Sequence, residues 1–377
     1  MNPAKIIIIG TAYPYRGGLS AFNERLAKEY VMQGHDVEIY TFTLQYPSFL
    51  FPGKTQYSDE PAPEGLKIVR KINSINPLNW LKVGREIRKK QPDLVIVKYW
   101  LPFMAPCFGT ILRQIRKNGK TRIISILDNI IPHEKRIGDK QFTQYFVNAV
   151  DGFVAMSQSV LNDVNTFDRL KPKAFSPHPL YDNFGEKVFR KEAIKKLNLD
   201  ENQQYMLFFG FIRDYKGLDL LLKAYADSRF RKLNVTLIVA GEFYNNSEKY
   251  FTLEEELGLK GEVIWRNDFI PDSEVKYYFS VADIIVQPYK SATQSGVTQI
   301  AYHFEKPMLV TNVGGLAEIV PHGKVGYTVH PNEKEITDAL CDFYENERFN
   351  NFTANIILEK EKYSWSKMIY TINILIP

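Results

Sequence analysis

The sequence predicts an α/β protein built from two doubly wound, Rossmann-like domains facing a central cleft. Three observations predict it: short β-branched runs that end at glycine or polar loops, amphipathic helical segments between them, and a second series of the same alternation in the other half of the chain. Length agrees, because 377 residues exceed one ordinary core and suit two. With 45% hydrophobic and 24% charged residues the composition is globular, which excludes a disordered or fibrous chain.

The elements follow in order. Residues 5–10 (KIIIIG) read as a buried parallel strand. A loop with Pro14, Gly17 and Gly18 leads into a helix with Leu19, Phe22, Leu26, Tyr30 and Val31 on one face and Gly34 as its stop. Strands are expected at 36–42, 93–100, 122–127 and 151–157. The second series begins with a strand at 204–210, a glycine-bearing loop and the helix LDLLLKAYADS. Strands at 234–241, 262–267, 283–289 and 307–312 follow, with helices near 247–257, at 272–282 and from about Val297. The Pro-bearing, charged stretch 176–203 joins the two series. Expected boundaries are therefore 1–180 and 181–352, with 353–377 as a helical segment packing back across the domains to the first.

Charge divides with the halves. Residues 1–180 hold 25 Lys and Arg against 15 Asp and Glu, whereas residues 181–377 hold 23 against 28. A basic first half suggests an anionic partner there. With only two cysteines, Cys107 and Cys341, one in each half, no disulfide framework is expected, and no Cys/His cluster offers a zinc site. The apolar run at the N-terminus is short for a signal peptide, and the stretch 99–112 is about half a membrane span with Pro102 and Pro106 inside it. A cytoplasmic protein is expected, with peripheral contact at the inner face of the membrane left open.

Four segments carry candidate chemistry, each at a strand exit, where ligands of open α/β sheets bind. Gly17–Gly18 let a diphosphate or sugar approach the backbone at a helix N-terminus, although GTAYPYRGG does not fit the dinucleotide pattern GxGxxG. Arg213 and Lys216, in GFIRDYKG, place two cations three residues apart to clamp a diphosphate leaving group. In KSATQSGV, Thr293 and Gln294 suit sugar hydroxyls, and the amides of Ser295, Gly296 and Val297 suit a phosphate; the plainer reading is a serine cap on an ordinary loop. Asp128 and His133, in DNIIPHE, are candidates to orient an acceptor hydroxyl or take its proton.

These segments in this order resemble the family-4 glycosyltransferases, retaining enzymes of GT-B architecture. Pro14 with Gly17–Gly18, Leu26–Ala27 and Gly34-His35-Asp36-Val37 is similar to the family's opening; Asp128-Asn129 with Pro132-His133-Glu134 resembles its acceptor-side segment. Gly210 with Lys216-Gly217 and Leu221 resembles its donor-diphosphate segment, and Gly314-Gly315 with Glu318 the GG..E that follows the donor loop. The resemblance adds Glu318 to the donor-binding residues. Three departures stand out: Ala292 and Ile300 occupy the positions of the family's two glutamates, Phe211 that of its arginine, and Asp128 that of a frequent histidine. The SATQSG segment is similar to a divergent bacterial branch in which this loop replaces the glutamate pair.

The resemblance implies that the first domain binds the acceptor and the second a nucleotide-sugar, UDP- or GDP-linked, with no essential metal and no other cofactor. The implied activity is hexosyl transfer with retention to a glycan or lipid-linked acceptor, in surface polysaccharide or glycolipid synthesis. The basic clusters at Lys82–Lys90 and Arg113–Arg122, with the aromatic stretch 46–52, would suit an anionic leaflet or simply solvated helix faces. Nucleic acid is disfavoured because the aromatics do not interleave with the cations. Two alternatives are a nucleotide-sugar epimerase, which the GG and KG motifs argue against, and a degenerate sugar-nucleotide-binding protein without catalysis.

Overall fold

The protein is described by a computed structural model covering residues 3–47, 56–58, 61–132, 136–244, 247–292 and 295–376. It divides into two compact units, one of residues 1–178 with 365–377 and the other of residues 179–364.

The first unit runs β1 (Lys5–Ile9), α1 (Gly18–Met32), β2 (Asp36–Leu44), β3 (Lys67–Asn73), α2 (Pro77–Lys90), β4 (Leu94–Tyr99), α3 (Ala105–Arg116), β5 (Arg122–Leu127), α4 (Asp139–Val147), β6 (Gly152–Ala155), α5 (Gln158–Val164) and β7 (Lys173–Phe175). All its strand pairs are parallel, in the order β3-β2-β1-β4-β5-β6-β7. Successive β1 side chains point to opposite faces. Ile7 and Ile9 join the core with Tyr99 and Phe108, while Ile6 and Ile8 join the core with Phe22 and Leu26 of α1. Burial on both faces is why this strand is an uninterrupted isoleucine run.

The second unit repeats the plan with α6 (Arg190–Leu197), β8 (Gln204–Phe209), α7 (Leu218–Tyr225), β9 (Val235–Ala240), α8 (Glu248–Glu256), β10 (Val263–Arg266), α9 (Asp272–Val281), β11 (Ile284–Gln287), α10 (Gly296–His303), β12 (Met308–Thr311), α11 (Leu316–Ile319), β13 (Gly326–Val329), α12 (Glu333–Glu345) and α13 (Phe349–Glu359). Its parallel sheet has the order β10-β9-β8-β11-β12-β13. Tyr205 and Leu207 face one core and Met206 and Phe208 the other.

In each sheet the order reverses beside the first strand, between β1 and β4 and between β8 and β11. The loops leaving those strands therefore flank a crevice at the carboxyl edge, the usual ligand position in open α/β sheets.

Two expectations need correction. Val31 is 40% exposed, on the solvent side of α1 rather than with Phe22 and Leu26. The C-terminal segment is not one piece: α13 and a 3₁₀ turn at Lys360–Tyr363 belong to the second unit, and only α14 (Trp365–Asn373) lies in the first. There Trp365, Met368, Ile369 and Ile372 share the core of Ile6, Ile8 and Phe22. The physical reason is the position of the buried residues, since Ile356 and Tyr363 pack into a core of the second unit.

Candidate functional site

The second unit brings two of the predicted segments, GFIRDYKG and KSATQSGV, together at the β8/β11 switch point. After β8 the chain turns at Gly210 (φ +95°), and a methyl built there would stand 3.0 Å from the Lys216 ammonium and 3.8 Å from Val297 Cγ2. The strand exit, the lysine loop and the first turn of α10 thus converge on one spot. Gly217 fixes the approach: its φ is +68°, and a Cβ would lie 2.0 Å from the Pro288 carbonyl oxygen. Only glycine meets both demands. The β11 loop is fastened to it, because Lys290 N–H donates to the Tyr215 carbonyl (2.6 Å) and Lys290 Nζ pairs with Asp219 Oδ2 at 2.7 Å.

Lys216 is 8% exposed, with its ammonium 5.5 Å from the Tyr289 ring centroid. Among the described residues it has no hydrogen-bond or carboxylate partner. Burial lowers its pKa to about 8, and the neighbouring Arg213 charge adds to the shift. Arg213 is half-buried, its guanidinium stacked 3.7 Å from the centroid of Tyr244, which follows β9. That stacking fixes the plane of the fork while leaving its edge free for hydrogen bonds. Asp214 between them is paired away with Lys249, whose hydrogen bond lowers the carboxylate's pKa.

At the start of α10, Ser295 is the N-cap. Its hydroxyl accepts from Val297 N–H (3.2 Å) and donates to Gln287 Oε1 (2.7 Å), with the Tyr289 hydroxyl 3.2 Å away. The expectation of an open Val297 amide is thereby corrected, since the serine beside it already takes that donor. Gly296 N–H keeps no partner among the described residues, and it opens an eight-residue helix whose positive end favours an anion. Thr293 and Gln294 lie outside the described residues. Glu318 is exposed on α11, reached through Gly314 (φ +52°) at the exit of β12.

The first unit holds the other candidates. Gly17 caps α1 at φ +101°, and nothing lies within 4 Å of a Cβ built there. Gly18 is the first helical residue. The preceding loop is tied down by Thr41 Oγ1, which accepts from Ala12 N–H (2.9 Å), and by Glu24, which accepts from Tyr13 N–H (2.6 Å). Asp128 leaves β5 with its backbone N–H donated to Tyr99 and its carboxylate 3.0 Å from the ammonium of Lys98. His133 lies outside the described residues. Lys98 was not singled out from sequence, though one signal was present: a cation inside the otherwise apolar strand LVIVKY. Tyr244, Tyr289 and Gln287 were likewise not named, because only the fold brings their strands beside the lysine loop. Among the described residues no group of three His, Cys, Asp or Glu side chains is placed to hold a metal ion.

Residues 189–360 match the family model described as glycosyl transferases group 1, and residues 16–175 match glycosyltransferase family 4. The chain belongs to the glycosyltransferases. Over 373 residues this glycosyltransferase is 24% identical to an uncharacterized glycosyltransferase of Methanocaldococcus jannaschii, covering 97% of this chain and 95% of that one. A D-inositol 3-phosphate glycosyltransferase from Arthrobacter sp. is 21% identical over 352 residues, 86% of this chain and 82% of its own. Among solved structures, a sucrose-phosphate synthase from Thermosynechococcus elongatus superposes with a TM-score of 0.75 at 15% identity, covering 98% of each chain. Anabaena HepE, solved in complex with UDP, superposes with a TM-score of 0.73 at 15% identity over 98% of each chain. These likenesses show the GT-B fold. No helix among the described residues is long and apolar enough to cross a membrane.

Proposed function

We propose that this glycosyltransferase moves a hexosyl group, with retention, from a nucleoside-diphosphate sugar to a glycan or lipid-linked acceptor. The observation that carries the proposal is the buried Lys216 ammonium, unpartnered among the described residues, at the meeting point of Gly210, Tyr289 and α10. Burying a cation without a counter-charge is expensive, so a site that does so is built for an anion that arrives later. A diphosphate fits: two negative phosphoryl groups would meet Lys216, the Arg213 fork and the Gly296 amide. As the bond from the anomeric carbon to the phosphate oxygen breaks, negative charge grows on the leaving diphosphate, and those fixed donors stabilise it without reorganising. Cations and a helix end thus do the work a divalent metal does elsewhere, and we assign no essential metal to the reaction.

In support, HepE was solved with UDP and with UDP-glucose, which makes UDP-hexoses the first donors to try. The first unit would receive the acceptor, with Asp128 at its carboxyl edge. Arg213→Ala and Lys216→Ala are each expected to lower the transfer rate by roughly 10²-fold or more, the usual scale for one preorganised oxyanion donor. The check is transfer from radiolabelled UDP-hexoses to a panel of lipid-linked and free glycan acceptors. Undiminished transfer by both variants would remove the diphosphate role from these residues.

A further inference from the structure

We infer that Lys98 is a positioning residue, holding one oxygen of Asp128 so that the other accepts from a sugar hydroxyl of the bound substrate. The inference rests on the proposed transferase reading and adds to it a residue of the first unit. Lys98 is 2% exposed in β4, all six of whose residues are buried. Its side chain leaves the sheet on the α1 side, where its ammonium sits 3.3 Å from the centroid of Phe22. That ring is itself held by Trp365 (5.1 Å) and His178 (5.2 Å). Asp128 Oδ1, 3.0 Å away, is the ammonium's carboxylate partner among the described residues.

Stability does not account for this arrangement. An apolar residue of similar volume in an otherwise hydrophobic layer would do as well or better than a buried ion pair. What the lysine does supply is a fixed carboxylate. The Asp128 backbone is pinned by its bond to Tyr99, its Oδ1 is engaged, and its side chain remains 22% exposed at the exit of β5. Position adds to the argument, because β4 and β5 are neighbours and β4 borders the switch point of this sheet. A carboxylate held there is an acceptor for sugar O–H groups, through hydrogen bonds strengthened by its charge.

The experiment uses the full chain and three variants: Lys98→Met, Asp128→Asn and the double replacement. For each, sugar transfer, UDP binding by calorimetry and the melting temperature are measured. Lys98→Met is expected to lower kcat/KM for transfer by about 10²-fold, the scale of a misplaced catalytic contact. Its melting temperature should not fall, and its UDP affinity should stay within about twofold. Asp128→Asn strands a buried ammonium and should melt lower; the double variant removes that charge and should recover the melting temperature while losing no more transfer than Asp128→Asn. Wild-type transfer by Lys98→Met overturns the positioning role and leaves the transferase reading intact. A lowered melting temperature in Lys98→Met, or losses that multiply in the double variant, overturns it as well. A wild-type chain that binds UDP yet transfers from no donor overturns the transferase reading and this inference with it.

Discussion

At Lys216 the surroundings of a single side chain suit the anion proposed for it. Its ammonium lies beside a tyrosine ring and a glycine with no carboxylate among the described residues, and burial brings its pKa down to about 8. A bound diphosphate favours the charged form and raises that pKa, so above pH 8 binding must take up a proton. Nucleoside diphosphate affinity is therefore expected to change little near pH 7, to be about halved by pH 8, and to weaken towards about tenfold per unit at higher pH. Calorimetric titration of UDP in two buffers of different ionisation heat would show the proton uptake; Lys216→Met should bind weakly with no such slope. A wild-type affinity unchanged from pH 7 to 9.5 would separate Lys216 from the diphosphate. The sequence was enough to name Lys216 and Arg213, through glycines and a strand exit. It was not enough to name Lys98 as the partner of Asp128, because an isolated lysine in an apolar run carries no mark of which strand lies beside it.

At the level of elements, the site depends on how closely two loops approach. Gly217 sits in the left-handed region with the Pro288 carbonyl where a Cβ would be, and Lys290 closes the contact from the other side. Gly217→Ala is expected to push the β8 and β11 loops apart and cost about 1–3 kcal/mol of stability from backbone strain, with UDP binding lost more completely than the fold. Thermal unfolding and calorimetry of the variant check this; full UDP affinity would mean the loops need no such contact. The start of α10 near Ser295–Gly296 was legible because its apolar face begins there and serine is a good cap. The capping bond to the Val297 amide is the plainer reading of that serine, but its second bond, to Gln287, was not legible, since Gln287 reaches it through the fold of the loop between them. Strand β3 was missed for a related reason. As an edge strand reading KIVRKIN, with Lys67, Arg70 and Lys71 exposed, it has none of the continuous apolar character of β1.

Across the whole molecule, chain order and structural membership part company at the C-terminus. The first unit is completed by residues 365–377, which follow the whole second unit in the chain, and Trp365, Met368, Ile369 and Ile372 are each at most 4% exposed there. At about 1.5–3 kcal/mol for each buried side chain, removing them costs as much as the whole net stability of a typical domain, about 5–15 kcal/mol. A chain ending at Ser364 is expected to lose the cooperative unfolding of its first unit and expose it to protease; wild-type melting and proteolysis of that chain would show the helix to be dispensable. The charge asymmetry also changes meaning at this scale. Of the basic residues in the first half, Lys90 pairs with Glu38, Arg116 with Asp151 and Lys120 with Asp93, and Arg113 stacks 3.6 Å from the Tyr145 centroid. These basic residues therefore hold the unit's own elements, and the excess of positive charge rests on the others. By itself the sequence determined the alternation of strand and helix, the two-unit plan, and the glycine-marked loops that carry the candidate residues. Those follow from periodicity and from backbone freedom, which are local. Only the tertiary structure decided which loops meet, which ammonium ions lose their water, and where the chain leaves the second unit for the first. Those depend on strand order and packing, which bring Lys98 to Asp128 and Phe22 to Trp365 in ways that no local pattern encodes.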